Sequence, residues 1–186
     1  MNIQGRIVTL RAPELADVAR LHRWSNDPEL WSLLAGWHFP FSSRSTEEWV
    51  RARRDGNQDG HVFCIDTAEH GIVGTANLVD IDWKNGTAFH GMMIGEPELR
   101  GRGLARDTVF TLMRYAFMEL GLHRLDSDIV ASNARSLAFY TRKCGWRQEG
   151  VRKDWYYRNG ARHDKLMIGI TRDDYLAFAA ESHYWE

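Results

Sequence analysis

LRGRGLARD, residues 99–107, joins an apolar run to the start of an amphipathic helical pattern through two glycines and three arginines. A strand that enters Gly101-Arg102-Gly103 and leaves as a helix brings unpaired backbone N–H groups and the positive end of a helix dipole to one point. Glycine lets an anionic group approach that backbone closely, so the junction reads as a phosphate cradle. The competing reading is a tight turn whose arginines are solvated. Two common nucleotide motifs do not fit. A dinucleotide fingerprint needs glycine where Arg106 stands, and a P-loop needs Gly-Lys-Ser/Thr, which is absent.

Downstream of the junction, apolar residues recur at Val109, Leu112, Met113, Ala116, Phe117 and Leu120, the spacing of a helix with one buried face, and Gly121 stops it. Residues 124–130 then read as a strand, 133–144 as a helix, and 146–157 with 161–170 as two strands joined at Asn159-Gly160. Upstream, residues 61–66, 72–81 and 87–94 read as three strands. Asn85-Gly86 makes the last two antiparallel neighbours. Polar, Gly-containing turns are expected at 55–60 and 68–71. Nearer the N-terminus, residues 6–10 have strand composition, Pro13 opens a helix that Asn26-Asp27-Pro28 ends, and residues 31–41 show no period. Ser45-Thr46-Glu47-Glu48 resembles a capping signal for a helix to about residue 54. The elements imply one mixed α+β domain over residues 1–186.

The 186 residues are 44% hydrophobic and 12% aromatic, enough for a sizeable core. Lys and Arg total 24 against 25 Asp and Glu, a formal net charge of -1, so no global field draws the chain to nucleic acid or anionic membrane. An anion must therefore be held locally. Cys64 and Cys144 lie in apolar stretches and read as reduced core thiols, which fits a cytoplasmic protein. There is no secretory signal pattern at the N-terminus, and no apolar run approaches the ~18 residues of a spanning helix. The histidines are scattered without zinc-type spacing, so no metal is expected.

Arg100-Gly101-Arg102-Gly103-Leu104-Ala105 resembles the Arg/Gln-x-x-Gly-x-Gly/Ala signature of the GCN5-related N-acetyltransferases (GNAT), in which this loop binds the pyrophosphate of acetyl-coenzyme A. The flanks carry the resemblance further: IVASNARSLAFY at 129–140, then Lys143-Cys144-Gly145-Trp146 and Glu149-Gly150, the N-terminal LRAPELADVARLHRWSNDPEL, and Tyr156-Tyr157-Arg158-Asn159-Gly160 with Asp164. Together these are similar to the subgroup of ribosomal-protein alanine and spermidine acetyltransferases. The resemblance implies a central, mostly antiparallel twisted sheet flanked by helices and splayed into a V at the coenzyme. It implies acetyl-coenzyme A as co-substrate, held by Arg100, Gly101, Arg102, Gly103, Leu104 and Ala105. In the family a bulge splays the strand before this loop, freeing its backbone for the pantetheine arm. The matching stretch is Gly91 to Gly95, with Met92, Met93 and Ile94 at the coenzyme.

Acetyl transfer to an amine needs a polarised thioester, an uncharged nitrogen, and a proton for the departing thiolate. Asn133 and Tyr140 are seven residues apart on one helical face, with Ser136 between them. The resemblance places the Tyr140 hydroxyl near the thioester sulfur as general acid, and the Asn133 and Ser136 side of the helix on the coenzyme. Asn133 reads equally as a helix N-cap, and Tyr140 as a core aromatic. Many relatives carry Glu in the strand before the loop, where this chain has His90. That histidine is a candidate base, with a structural role as its alternative. Asp80 and Asp82 are candidates to hold a cationic amine, or are ordinary turn carboxylates.

The acceptor is expected between the N-terminal helices and the C-terminal strand pair. Trp31, Trp37, Trp155 and Tyr156 supply aromatic surface near there, with Asp82 as the charged candidate. A small polyamine, an amino sugar or antibiotic, and a protein N-terminus all suit such a site, and the absence of a dense charged patch favours a small amine. A homodimer is compatible with this reading. The alternative from another class is a non-catalytic acyl-coenzyme A sensor; Tyr140 argues for chemistry and the missing Glu against it. Nucleic-acid binding through Arg100, Arg102 and Arg106 finds no reading motif to support it.

Overall fold

A computed structural model describes residues 2–36, 39–53 and 60–186. The expected turn at 55–60 and the aromatic candidate Trp37 thus fall largely or wholly outside the described residues. Among the described residues eight strands form one sheet: β1 (Ile3–Gln4), β2 (Thr9–Arg11), β3 (Gly60–Thr67), β4 (Gly71–Asp82), β5 (Thr87–Ile94), β6 (Arg124–Val130), β7 (Arg147–Arg158) and β8 (Ala161–Thr171). Their order across the sheet is β1-β2-β3-β4-β5-β6-β8-β7, and every neighbouring pair is antiparallel except β5–β6. The fold is the mixed α+β architecture expected from the sequence.

One face of the sheet is covered by α4 (Leu104–Arg114), α5 (Ala134–Lys143) and α6 (Arg172–Glu181). Val109, Phe110, Leu112 and Met113 of α4 lie at 0–1% exposure in this core, beside Leu78, Leu125 and Ile168 of the strands. The other face carries α1 (Val18–Ser25), α2 (Pro28–Leu33) and α3 (Ser43–Arg51), whose Leu21, Trp24, Leu30 and Val50 close over Cys64 and Ile72. No helix among the described residues is long and apolar enough to cross a membrane.

Several local departures from the sequence reading have clear causes. Residues 6–8 do not extend β2, because the Arg6, Ile7 and Val8 amides donate to the Asp107 carboxylate (3.0, 2.7 and 2.8 Å) instead of to a neighbouring strand. Asp27-Pro28 both ends α1 and starts α2: Asp27 Oδ1 accepts from the Glu29 amide at 2.8 Å, with Pro at the first helical position. The cap of α3 is Ser42, whose Oγ accepts from the Ser45 amide at 3.0 Å, one turn before the expected signal. After α4 the chain widens into a π turn over Tyr115–Glu119, where the Leu120 amide reaches the Tyr115 carbonyl at 3.0 Å, before Gly121 turns at φ +70°. The C-terminal helix α6 was not expected at all.

The sheet opens where β5 and β6 part. They are paired only at Thr87↔Arg124, Ala88↔Leu125 and Phe89↔Asp126, although β5 continues to Ile94 and β6 to Val130. Their outer partners follow them to the end: β4 pairs β5 through Gly74↔Ile94, and β8 pairs β6 through Val130↔Lys165. Residues 90–94 therefore present one unpaired backbone edge to a V-shaped gap. The bulge expected at 91–95 is absent, since the β4–β5 register is continuous there; it shifts instead between Val79 and Asp82, where Asp80 takes φ +52°. Divergence of the two parallel strands makes the V without it.

Candidate active site

The V contains a cavity of about 530 Å³. Its walls come from four elements that the topology brings together. Met92, Met93 and Ile94 line it from β5, and Leu30, Leu33 and Leu34 from α2 and the residue beyond. Asn133, Arg135, Ser136, Phe139 and Lys143 line it from α5 and its cap. Arg100, Gly101, Gly103, Ala105 and Arg106 close one end. Much of the lining is apolar, with the cations gathered at that end and along α5.

At that end Gly101 and Gly103 both hold φ +86°, a conformation L side chains rarely adopt, and Gly103 is the N-cap of α4. The Leu104, Ala105 and Arg106 amides begin the helix and have no intrahelical carbonyl to meet. Arg100 Nη2 and Arg106 Nε are buried without a hydrogen-bond partner among the described residues. Orphaned cationic donors beside free helix amides suit an anionic diphosphate, and the apolar channel along an unpaired strand edge suits an amide-bearing aliphatic arm. Acetyl-coenzyme A has both parts. Leu104 and Arg102 are placed differently from their neighbours. The Leu104 side chain is buried in the core, leaving its amide to the loop, and Arg102 faces a separate polar depression with Arg20 and Arg23.

Asp107, in the first turn of the same helix, is 1% exposed and would oppose an anion if it faced the loop. It is turned away, saturated by the three N-terminal amides and by the Tyr184 hydroxyl, which donates at 2.7 Å.

Asn133 caps α5, its Oδ1 accepting from the Ser136 amide at 3.0 Å, while its Nδ2 donates to the Leu33 carbonyl at 3.2 Å. It thus ties α2 across the cavity to α5. Tyr140 lies on the same stripe of α5 as Asn133 and Ser136, at 5% exposure, beneath the apex of the V. Its hydroxyl is 2.9 Å from Nε2 of His90, the first β5 residue past the last β5–β6 rung. His90 is wholly buried, its Nδ1 lies 3.1 Å from the Asn77 carbonyl, and both it and Tyr140 lie behind the residues that line the cavity, of which Phe139 is the neighbour of Tyr140. Burial pushes the imidazole down to about 4 and keeps the Tyr140 phenol protonated well above its ordinary range.

The acceptor candidates are not gathered at the cavity. Asp82 is an exposed turn carboxylate accepting from the Asn85 amide (3.0 Å) and Asn85 Nδ2 (2.6 Å), which hold its pKa below the ordinary value. It sits at the closed end of the V, on the order of 20 Å along β5 from Ile94. The Trp31 indole donates to the Ser25 carbonyl at 2.7 Å. Trp155 is half exposed on the edge strand β7, with Arg152 and Lys165 over its ring. Tyr156 is buried under Arg158, whose Nη2 reaches the Leu34 carbonyl at 3.2 Å. Sequence reasoning missed Leu30, Leu33, Arg135, Phe139, Lys143 and Arg106. The α5 members have a helical phase that could have found them; the α2 members follow no period.

Comparison with known proteins gives the same reading. A family profile described as "Acetyltransferase (GNAT) domain" matches residues 8–147. An uncharacterized, prophage-derived N-acetyltransferase of Bacillus subtilis, YokL, is 29% identical over 171 residues, 92% of this chain and 93% of that one. The spermidine N(1)-acetyltransferase of Vibrio cholerae is 25% identical over 91% of this chain and 95% of its own. A crystal structure of spermidine N-acetyltransferase from Vibrio cholerae, in complex with CoA and spermine, superposes with a TM-score of 0.82 at 25% identity, covering 91% of this chain and 98% of that one. The profile covers most of the chain and the relatives share nearly its full length, so the chain belongs to the GNAT acetyltransferase family and is an acetyl-coenzyme A-dependent N-acetyltransferase.

Proposed function

We propose that the acetyl acceptor is a small polyamine. The observation that carries this is the near-complete coverage, at a TM-score of 0.82, of a spermidine acetyltransferase crystallised with spermine. In this reading the loop amides, Gly101 and Gly103, with Arg100 and Arg106, hold the coenzyme pyrophosphate, and the free edge of β5 at Met92–Ile94 pairs with the pantetheine arm. Asn133 and Ser136 border that arm. Bound acetyl-coenzyme A supplies an activated acetyl thioester.

Tyr140 is the general acid, giving its proton to the departing sulfur. His90 is wholly buried with its Nε2 turned to the Tyr140 hydroxyl rather than to an acceptor, so the acceptor ammonium loses its first proton to solvent. Below the pKa of the reacting amine, kcat/KM is then expected to rise about tenfold per pH unit, with no inflection from an enzymic base.

Release of coenzyme A thiol, followed for a panel of spermidine, spermine, an aminoglycoside and an N-terminal peptide, tests the acceptor. Spermidine or spermine is expected to give the highest kcat/KM. Coenzyme binding without turnover for any amine would leave the non-catalytic sensor as the correct reading. Tyr140→Phe removes one oxygen and keeps the ring; kcat is expected to fall about 10²–10⁴-fold with acetyl-coenzyme A affinity unchanged. Unchanged kcat would return Tyr140 to the core.

A further inference from the structure

At the apex of the V lies a hydrogen-bonded chain, Asn77–His90–Tyr140, of which the reaction above uses only the last member. The Asn77 carbonyl can only accept, so the His90 Nδ1 that faces it at 3.1 Å carries a proton. A fully buried imidazole with no acidic partner in hydrogen-bond reach among the described residues is neutral and has one N–H, so Nε2 is bare. The one proton between Nε2 and the Tyr140 oxygen, 2.9 Å away, therefore belongs to the phenol, which donates. The tautomer is fixed from β4.

Asn77 is suited to leave its carbonyl for this task. Its side-chain Oδ1 takes the Gly91 amide at 2.8 Å, and Gly91 makes room, since a Cβ there would lie 3.2 Å from Asn77 Nδ2. Trp146 and Tyr140 flank the imidazole with ring centroids at 5.6 and 5.8 Å, fixing its plane.

We infer that His90 is a positioning residue for Tyr140: its bare Nε2 anchors the phenolic oxygen and holds the hydroxyl proton away from the cavity until sulfur becomes the stronger acceptor. This rests on Tyr140 being the general acid. Rotation about the Cζ–O bond is the freedom left to the hydroxyl. When the carbon–sulfur bond breaks, the O–H bond of Tyr140 breaks and an S–H bond forms. The acceptor nitrogen, now bonded to the acetyl carbon, gives its surplus proton to the phenolic oxygen, and the hydroxyl returns to Nε2. His90 ends with the same proton on Nδ1. Before sulfur departs, turning the hydroxyl outward would leave Nε2 buried and unpaired, so the donor is withheld from the intact thioester.

The test is a mutant cycle with a second histidine variant. His90→Leu removes the acceptor; His90→Gln keeps one amide oxygen for Tyr140 and one N–H for Asn77. His90→Leu is expected to lower kcat at least tenfold with acetyl-coenzyme A affinity unchanged and the shape of the pH profile preserved, and His90→Gln to recover most of the loss. Added to Tyr140→Phe, His90→Leu is expected to cost no further kcat, because it acts through an oxygen already gone. A full additional loss in the double variant, or a loss that shrinks as pH rises, would overturn the inference and make His90 an independent base. If Tyr140→Phe alone leaves kcat unchanged, the general-acid reading itself fails, and the inference with it. Nitrogen-15 NMR of the wild-type imidazole gives a readout that needs no variant to fold: a protonated Nδ1 and bare Nε2 are expected at neutral pH, and a proton on Nε2 would contradict the assignment.

Discussion

Asp107 closes the loop motif yet does its work on the side facing away from the proposed coenzyme site. Three amides and a phenol, all from the chain's two ends, converge on its two oxygens, so the N-terminal turn and Tyr184 are clamped to the first turn of α4. In Asp107→Asn one of those oxygens becomes a donor facing donors. Urea unfolding is expected to show a loss of ~3 kcal/mol, with kcat changed little once folded. His90 makes a second prediction at this scale. Its folded pKa of about 4 lies below the ordinary 6.5, so above 6.5 the residue is neutral both folded and unfolded and imposes no penalty. As pH falls from 6.5 towards 4 the unfolded chain gains a proton that the folded one refuses, and stability declines. Melting temperatures across that window are expected to fall more steeply for wild type than for His90→Gln. Neither role could be read from the sequence. A carboxylate in the first turn of a helix and a histidine in a strand are common, and only folding shows that four donors meet one and a phenol meets the other.

Among the elements, those with a period or a turn signature were legible: β5 and β6 have the bounds expected, and the Asn-Gly turns join the strands assigned to them. α6 was not, because its apolar residues form no stripe. Tyr175 is buried against Phe110 and Phe117 while Leu176 is exposed, and the one legible signal was the Thr171–Asp174 capping box. The gap between β5 and β6 was legible only through family resemblance, since strand composition does not say where two neighbours stop pairing. Asn133 joins two elements across that gap. Asn133→Ala is expected to lose about 1 kcal/mol of stability from the helix cap. Because the same side chain holds the Leu33 carbonyl, steady-state kinetics are expected to show KM for the amine rising more than KM for acetyl-coenzyme A. A rise confined to acetyl-coenzyme A would mean that Asn133 serves the coenzyme wall alone.

Across the whole molecule, a net charge of -1 supplies no field to recruit a polyanionic coenzyme, so the affinity must come from one place. In the proposed reading that place is the junction with which β5 gives way to α4. Each glycine there sits at φ +86°, two buried guanidinium nitrogens lack partners among the described residues, and the helix amides are free. Gly103→Val tests it at a position where a Cβ would meet only Ile7 Cδ1 at 3.8 Å, so the disturbance is to the backbone conformation and the approach to it, with the core untouched. Calorimetric titration of acetyl-coenzyme A into wild type and into Gly103→Val, with circular dichroism confirming the fold, is the most direct measurement. Saturable binding to wild type that weakens at least tenfold in the folded variant is the predicted result; equal affinity in the two proteins would contradict the assignment of this loop as the coenzyme site.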